Sequence, residues 1–234
     1  MFPLRDRIPA KSFPVITICI IIVNILVYIY QMSLGNNINT FINNFAVIPV
    51  SFSSLTDKPI LDWFILFPRL FTSMFIHGGI IHLLGNLWYL WIFGDNVEDF
   101  FGHFYFLLFY LVGGMVGALA HIYFNLNSNI PTIGASGAIA AVMGAYIMLY
   151  PKSRITTIVF IIIYFTITEI PSLFFLGFWI VLQLLYASFS AVNNASGGGV
   201  AWWAHIGGFA FGMVLAVLFR FIRKQKKINL SYLR

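Results

Sequence analysis

The chain has 234 residues, of which 60% are hydrophobic and 9% charged, and its mean hydropathy is +0.91. A soluble domain carries roughly 25% charged residues, so a basic soluble protein is excluded and an integral membrane protein is indicated. The formal charge of +6 then calls for no nucleic-acid partner, because membrane proteins concentrate Lys and Arg on the cytoplasmic side.

In chain order, an N-terminal arm (1–13) with Arg5, Asp6 and Arg7 leads into a first apolar helix from Pro14 to Leu34. Its length, with no small-residue cleavage site after it, reads as a retained anchor and not a signal peptide. The single cysteine, Cys19, excludes an intramolecular disulfide and a cysteine-rich metal site. Within an apolar span it is expected to be a buried structural thiol. Gly35 to Phe75 mixes asparagines and prolines with Phe41, Phe45, Trp63, Phe64 and Phe67. That mixture predicts a long, partly inserted loop with short helices lying in the interface.

Further helices are expected from Ile76 to Phe93, Phe104 to Phe124 and Ser136 to Tyr150, the last ended by Pro151. Arg154 to Ser190 is too long for one span of about 20 residues. Glu169-Ile170-Pro171 breaks it into an interfacial or partly inserted stretch, Ile155 to Thr168, and a fifth helix, Ser172 to Ser190. A flexible turn at Asn193 to Gly199 precedes a sixth helix, Val200 to Ile222, and a basic tail (223–234). The expectation is an all-α membrane protein: six transmembrane helices over 14–222, with no second domain. Of the 13 Lys and Arg residues, all but Lys58 and Arg69 fall at the ends shared by the two termini. That asymmetry predicts that both termini are cytoplasmic, and a multi-pass protein of a prokaryotic cell membrane is expected.

Polar residues mark a common depth. Counting the helical rise from the basic side puts Ser136 about 24 Å up, His205 about 22 Å and His82 about 20 Å, with Asn86 one turn below His82. Polar groups inside a membrane are costly and mark functional interiors. A serine hydroxyl becomes a nucleophile when a base takes its proton, and neutral imidazole is the usual base. Asp95, Glu98 and Asp99 lie at the far end of their helix and Glu169 adjoins a proline at a break, so no carboxylate is well placed for a triad. A Ser136–His205 dyad is the simpler arrangement, with Glu169 the remaining carboxylate candidate. The oxyanion needs donors: the Ser136 amide at a helix start is one, and His82 and Asn86, on one helix face, supply two more. His121 is the rival base. His77 reads as structural. No cofactor and no metal site is expected.

Three motifs together, His82-Leu-Leu-Gly-Asn86, Gly134-Ala-Ser136-Gly137 and Ala204-His205-Ile-Gly-Gly208-Phe-Ala-Phe-Gly212, resemble the rhomboid intramembrane serine proteases. The resemblance runs from about Met1 to Arg223. It implies a six-helix rhomboid-like bundle, Ser136 as nucleophile, His205 as base, and His82 with Asn86 at the oxyanion hole. It also implies a mobile fifth helix and substrates that are transmembrane helices unwinding near the outer membrane face. One departure is Pro68-Arg69, where many members have Trp-Arg, which bears on the packing of the first loop.

The alternative is a catalytically inactive relative that binds membrane helices or acts in their quality control. A transporter would require a polar path through both membrane halves, and the inner halves are almost wholly apolar. Gly208 and Gly212 could form a helix-dimer motif but are expected to pack within the monomer. Phe174, Phe175, Phe178 and Trp179 are expected to be the packing that opens at the fifth helix.

Overall fold

The structure, a computed structural model, describes residues 1–53, 59–161, 164–192 and 200–231. The first helix, α1 (Val15–Ser33), is turned inside out relative to a soluble helix. Thr17, Asn24 and Gln31, which share one face, are buried, whereas Val23, Leu26, Ile29 and Tyr30 are exposed. In lipid an apolar side chain gains nothing by turning inward, but a polar one needs partners. Thr17 Oγ1 donates to Glu98 (2.7 Å), and Gln31 exchanges two hydrogen bonds with the backbone of His77 (2.9 and 3.0 Å). Cys19 is exposed, which corrects the buried-thiol expectation: polar groups occupy the inward positions, and Cys19 lies off that face.

The long loop folds as anticipated into short pieces: α2 (Ile38–Phe45), α3 (Ile60–Leu66) and α4 (Arg69–Thr72), joined by 3₁₀ turns. Ile60, Leu61, Phe64 and Ile65 of α3 face outward, a surface suited to lipid. Pro68 stands at the start of α4, where its carbonyl accepts from Phe71 N and Thr72 N, both at 3.0 Å. Proline is favoured at a helix start because its fixed φ is already helical.

The next helix, α5 (Ile80–Phe101), departs from its expected bounds at both ends. It begins after Gly79 and continues past Phe93 because its terminal acids are satisfied in place. Buried Glu98 accepts from Ile16 N and Thr17 N (2.9 and 2.8 Å), holding the start of α1, and Asp99 accepts from Lys11 N and the Ser12 backbone and hydroxyl. Helix α6 (His103–Phe124) follows, then α7 (Ser136–Leu149), in which every residue from Gly137 to Ile147 is buried. Helices α8 (Ser172–Val192) and α9 (Trp202–Ser231) complete the bundle, with α9 running well into the expected tail. The anticipated turn at 193–199 lies outside the described residues.

Among the described residues, four helices are long and apolar enough to cross a membrane: Val15–Ser33, His103–Phe124, Ser172–Ser190 and Trp202–Arg223. A fifth span arises if Ile60–Phe75 and Ile80–Phe101, bent by 83°, count as one broken unit. At 14 residues, α7 reaches only about 21 Å. It packs against the longer helices α5, α6, α8 and α9.

The described residues are predominantly helical, yet 155–161 and 164–168 are strand. Strands β1 (Phe2–Asp6), β2 (Arg154–Ile161) and β3 (Tyr164–Pro171) form an antiparallel sheet in that order. The density of β-branched and aromatic residues here is a strand signal. The N-terminal arm is therefore docked: Trp88 Nε1 donates to Pro3 O (2.7 Å), Arg7 pairs with Glu169 (2.5 Å), and Asp6 accepts from Tyr146 OH (2.7 Å) and Asn96 Nδ2 (3.1 Å).

Burial, reinforced by the neighbouring charge of Asp95, raises the Asp6 carboxyl from 3.8 to about 6, against the opposing pull of the Tyr146 hydroxyl. Because the folded value is the higher one, the stability from this site is complete below pH 3.8 and is lost as pH rises through about 6. Thermal unfolding across that window should show the difference between Asp6→Asn and wild type growing in the variant's favour with rising pH. A pH-independent difference would mean that the arm does not sense this proton.

The start of α8 is clamped to the end of α7. Ser172 is fully buried, its N–H donates to Ser153 O (2.7 Å) and its hydroxyl to Tyr150 O (2.5 Å), while Leu173 N reaches Pro151 O (3.3 Å). The Glu169-Ile-Pro171 break is thus an anchored corner and not a loose tether, because β3 is hydrogen-bonded to β2 up to Pro171.

Candidate active site

Ser136 is the first residue of α7, and it gets there through Gly134. That residue has φ +117°, its N–H donates to Ser73 O (2.9 Å), and a Cβ on it would lie 2.7 and 2.8 Å from the His82 ring atoms Cε1 and Nε2. Only glycine combines that dihedral with that proximity. The N-cap is Ala135, which has no side-chain group to cap the helix, so the first backbone N–H groups stay free for an anion.

His205 lies in the first turn of α9. Helices α7 and α9 approach at Gly208 and Gly212, where an added Cβ would sit 2.0 Å from Gly137 O and 1.9 Å from Ala141 O. The glycine motif therefore packs within the monomer. This contact carries His205 to Ser136: Nε2 stands 2.8 Å from Oγ, and His205 is 8% exposed while Ser136 is half-buried.

His82 and Asn86 come to the same place from α5. Gly78 N donates to His82 Nδ1 (3.4 Å), and both side chains border Gly134. Asn86 Nδ2 is buried and makes no hydrogen bond among the described residues. A buried donor without a partner costs about 1–3 kcal/mol; beside a serine hydroxyl and a free helix start it is suited to a charge that develops during reaction. A small cavity of about 20 Å³, lined by Met74, Gly114, Ala118, Gly137, Ala201 and Ala204, opens next to Ser136. Its small-residue lining leaves room for one small side chain.

His121 is half-buried, and its Nδ1 has no hydrogen-bond partner among the described residues, whereas the Ser136 hydroxyl is bonded to His205. His77 is 2% exposed and is tied through its backbone to Gln31, a structural position.

One residue escaped the sequence reading. Gln183 of α8 is buried, and its Oε1 lies 2.8 Å from His205 Nδ1. An amide alone in an apolar helix is the signal that could have found it, but a search confined to carboxylates passes it over. Trp179 packs on the other side, its ring 5.7 Å from that of His205 and 6.0 Å from Phe209. Of the four bulky residues expected to gate the fifth helix, Phe175 and Trp179 pack inward while Phe174 and Phe178 are exposed.

A family model described as the Rhomboid domain matches residues 67–221. The chain belongs to the rhomboid family. The match takes in all three motifs and α4 through most of α9. Among curated relatives, the rhomboid protease GluP of Bacillus subtilis is 41% identical over 86 residues, 37% of this chain and 16% of that protein. RHOMBOID-like protein 1 of Arabidopsis thaliana is 32% identical over 151 residues, 64% and 34% of the two chains. The mitochondrial rhomboid protein 1 of Saccharomyces cerevisiae is 26% identical over 169 residues, 68% and 44%. The aligned stretch thus spans less than half the length of each of these rhomboids.

Proposed function

We propose that this rhomboid is an intramembrane serine endopeptidase cleaving single-span transmembrane proteins near the outer membrane face. The observation that supports it most is the 2.8 Å contact between Ser136 Oγ and His205 Nε2, a nucleophile within reach of its base. In this reading six helices traverse a prokaryotic cell membrane over 14–222, with α5 and α7 as the two spans that composition alone does not mark. Both termini lie on the basic, cytoplasmic side, and Ser136 opens toward the other.

His205 Nε2 takes the Ser136 proton as Oγ attacks a substrate carbonyl. The resulting oxyanion is met by the free N–H groups at the start of α7, by Asn86 Nδ2 and by the His82 ring. The imidazolium then gives its proton to the leaving amine, and water repeats the cycle on the acyl-enzyme. A helical substrate keeps its carbonyls bonded within its own backbone, so it must unwind before it can be attacked. The cavity beside Ser136 favours a small side chain at the cleaved position.

Purified protein should be labelled by a fluorophosphonate and should cleave a single-span substrate, with Ser136→Ala failing at both. A wild type that takes no label and cuts nothing would favour the helix-binding alternative. His82→Ala and Asn86→Ala should each lower kcat by about 10²–10³, the usual loss for one oxyanion donor, with KM little changed. If neither variant lowers kcat by as much as tenfold, the oxyanion site lies elsewhere.

A further inference from the structure

The amide of Gln183 has its two ends committed to different partners. Nε2 donates to Trp179 O at 3.3 Å, and Oε1 faces His205 Nδ1 at 2.8 Å. A backbone carbonyl only accepts, so the NH₂ end must point at Trp179 and the oxygen end at the imidazole. An amide oxygen also only accepts, so Nδ1 must carry the ring proton. In a neutral ring the lone pair then sits on Nε2, the atom facing Ser136 Oγ.

We propose that Gln183 is the positioning residue for the base: it fixes the tautomer and ring orientation of His205 in which Nε2 can accept the Ser136 proton. The inference rests on the protease reading. Among the described residues the hydrogen-bond partners of Gln183 are Trp179 and His205, so it acts through His205 and not on the nucleophile or the oxyanion donors. It is seated on α8, whereas His205 is seated on α9, so the base depends on a contact between two helices. Trp179, one turn earlier on α8, packs on the His205 ring, and the same helical face supplies both constraints. With the serine proton on Nε2, the Nδ1–H bond to the amide is retained and becomes charge-assisted.

In serine proteases of another fold, a partner that leaves geometry intact but favours the wrong tautomer costs about 10⁴ in kcat. A neutral amide stabilises the imidazolium less than a carboxylate does, so a loss on the order of 10² is expected here. Gln183→Met is the direct test, because methionine matches the shape in an apolar site but offers no comparable acceptor. It should lower kcat for a single-span substrate about 100-fold at nearly constant KM, and should slow fluorophosphonate labelling of Ser136 by a similar factor. Gln183→Glu, which keeps the acceptor, should recover most of both rates. A structural defect would instead change KM and the unfolding temperature, with no rescue by Glu.

Nitrogen NMR of the His205 ring in wild-type protein near neutral pH needs no variant, and it should find the proton on Nδ1. A ring protonated at Nε2, or Gln183→Met keeping wild-type kcat and labelling rate, overturns the inference while leaving the protease reading intact. A wild type that neither cleaves nor takes the probe overturns the protease reading itself.

Discussion

Replacing Ser136 with alanine is expected to lower cleavage by on the order of 10⁶, to background, and His205→Ala should do nearly the same. The two act as a unit: without the base the hydroxyl stays protonated, and without the hydroxyl the base has nothing to activate. Ser136→Ala should leave the unfolding temperature nearly unchanged, since Ser136 is half-buried and its hydroxyl is engaged with His205 alone among the contacts described. His205→Ala strands the Gln183 oxygen and should lower it without abolishing folding. Thermal unfolding in detergent and product gels on the same samples would check both halves. If His205→Ala keeps cleavage within tenfold of wild type while His121→Ala is dead, the base belongs on α6.

A second large loss, of more than about 10², is expected from a substitution that touches no reacting group. At Gly208 and Gly212 an added Cβ meets backbone oxygens of α7 at 2.0 and 1.9 Å, and backbone cannot rotate away as a side chain can. Gly208→Val and Gly212→Val must therefore push α9 off α7 and carry His205 with it. Overpacking costs typically about 1–3 kcal/mol, and here two helices must separate, so the upper end is expected at each site. A displacement of about 1 Å at a reacting pair can cost about 10² in rate, and a valine asks for more than that. Ala210→Val is the control: it lies between the two on the exposed side of α9 and should change little. Wild-type cleavage by both glycine variants would show that the helix contact does not set the Ser136–His205 distance.

Much of this arrangement was legible in the chain. Gly134, Gly137, Gly208 and Gly212 flank a serine and a histidine in apolar surroundings, and small residues in membrane helices mark close approach. Close approach of two such helices is what brings Ser136 and His205 together. The helix order and the short helices of the first loop could be read for a similar reason, because breaks in apolar runs coincide with prolines and asparagines. The sheet could not be read the same way. Residues 155–161 and 164–170 are apolar enough to pass for membrane, and the alternation that marks a half-exposed strand is blurred when most positions are apolar. Its third strand comes from the other end of the chain, and nothing local announces that pairing. Cys19 was misjudged because burial in a membrane helix follows polar contacts and not hydropathy. Gln183 carries no charge and so lacks the mark of a triad carboxylate, although a lone amide in an apolar helix is itself a signal of a buried polar contact.

The docking of β1 also orders events in time. Phe2 pairs with Ile158, so β1 waits for a partner made some 150 residues later. At about 5–20 residues per second that delay is roughly 8–30 s, during which β1 has an unpaired edge and Asp6 has no tyrosine. The sheet can close only after α7 has been synthesised and its far end, where Tyr146 sits, has reached the same side as the N-terminus. A tag placed ahead of Phe2 would then burden the closure of the sheet. Its effect would be felt at the Tyr146 end of α7, far along the chain from where it was attached.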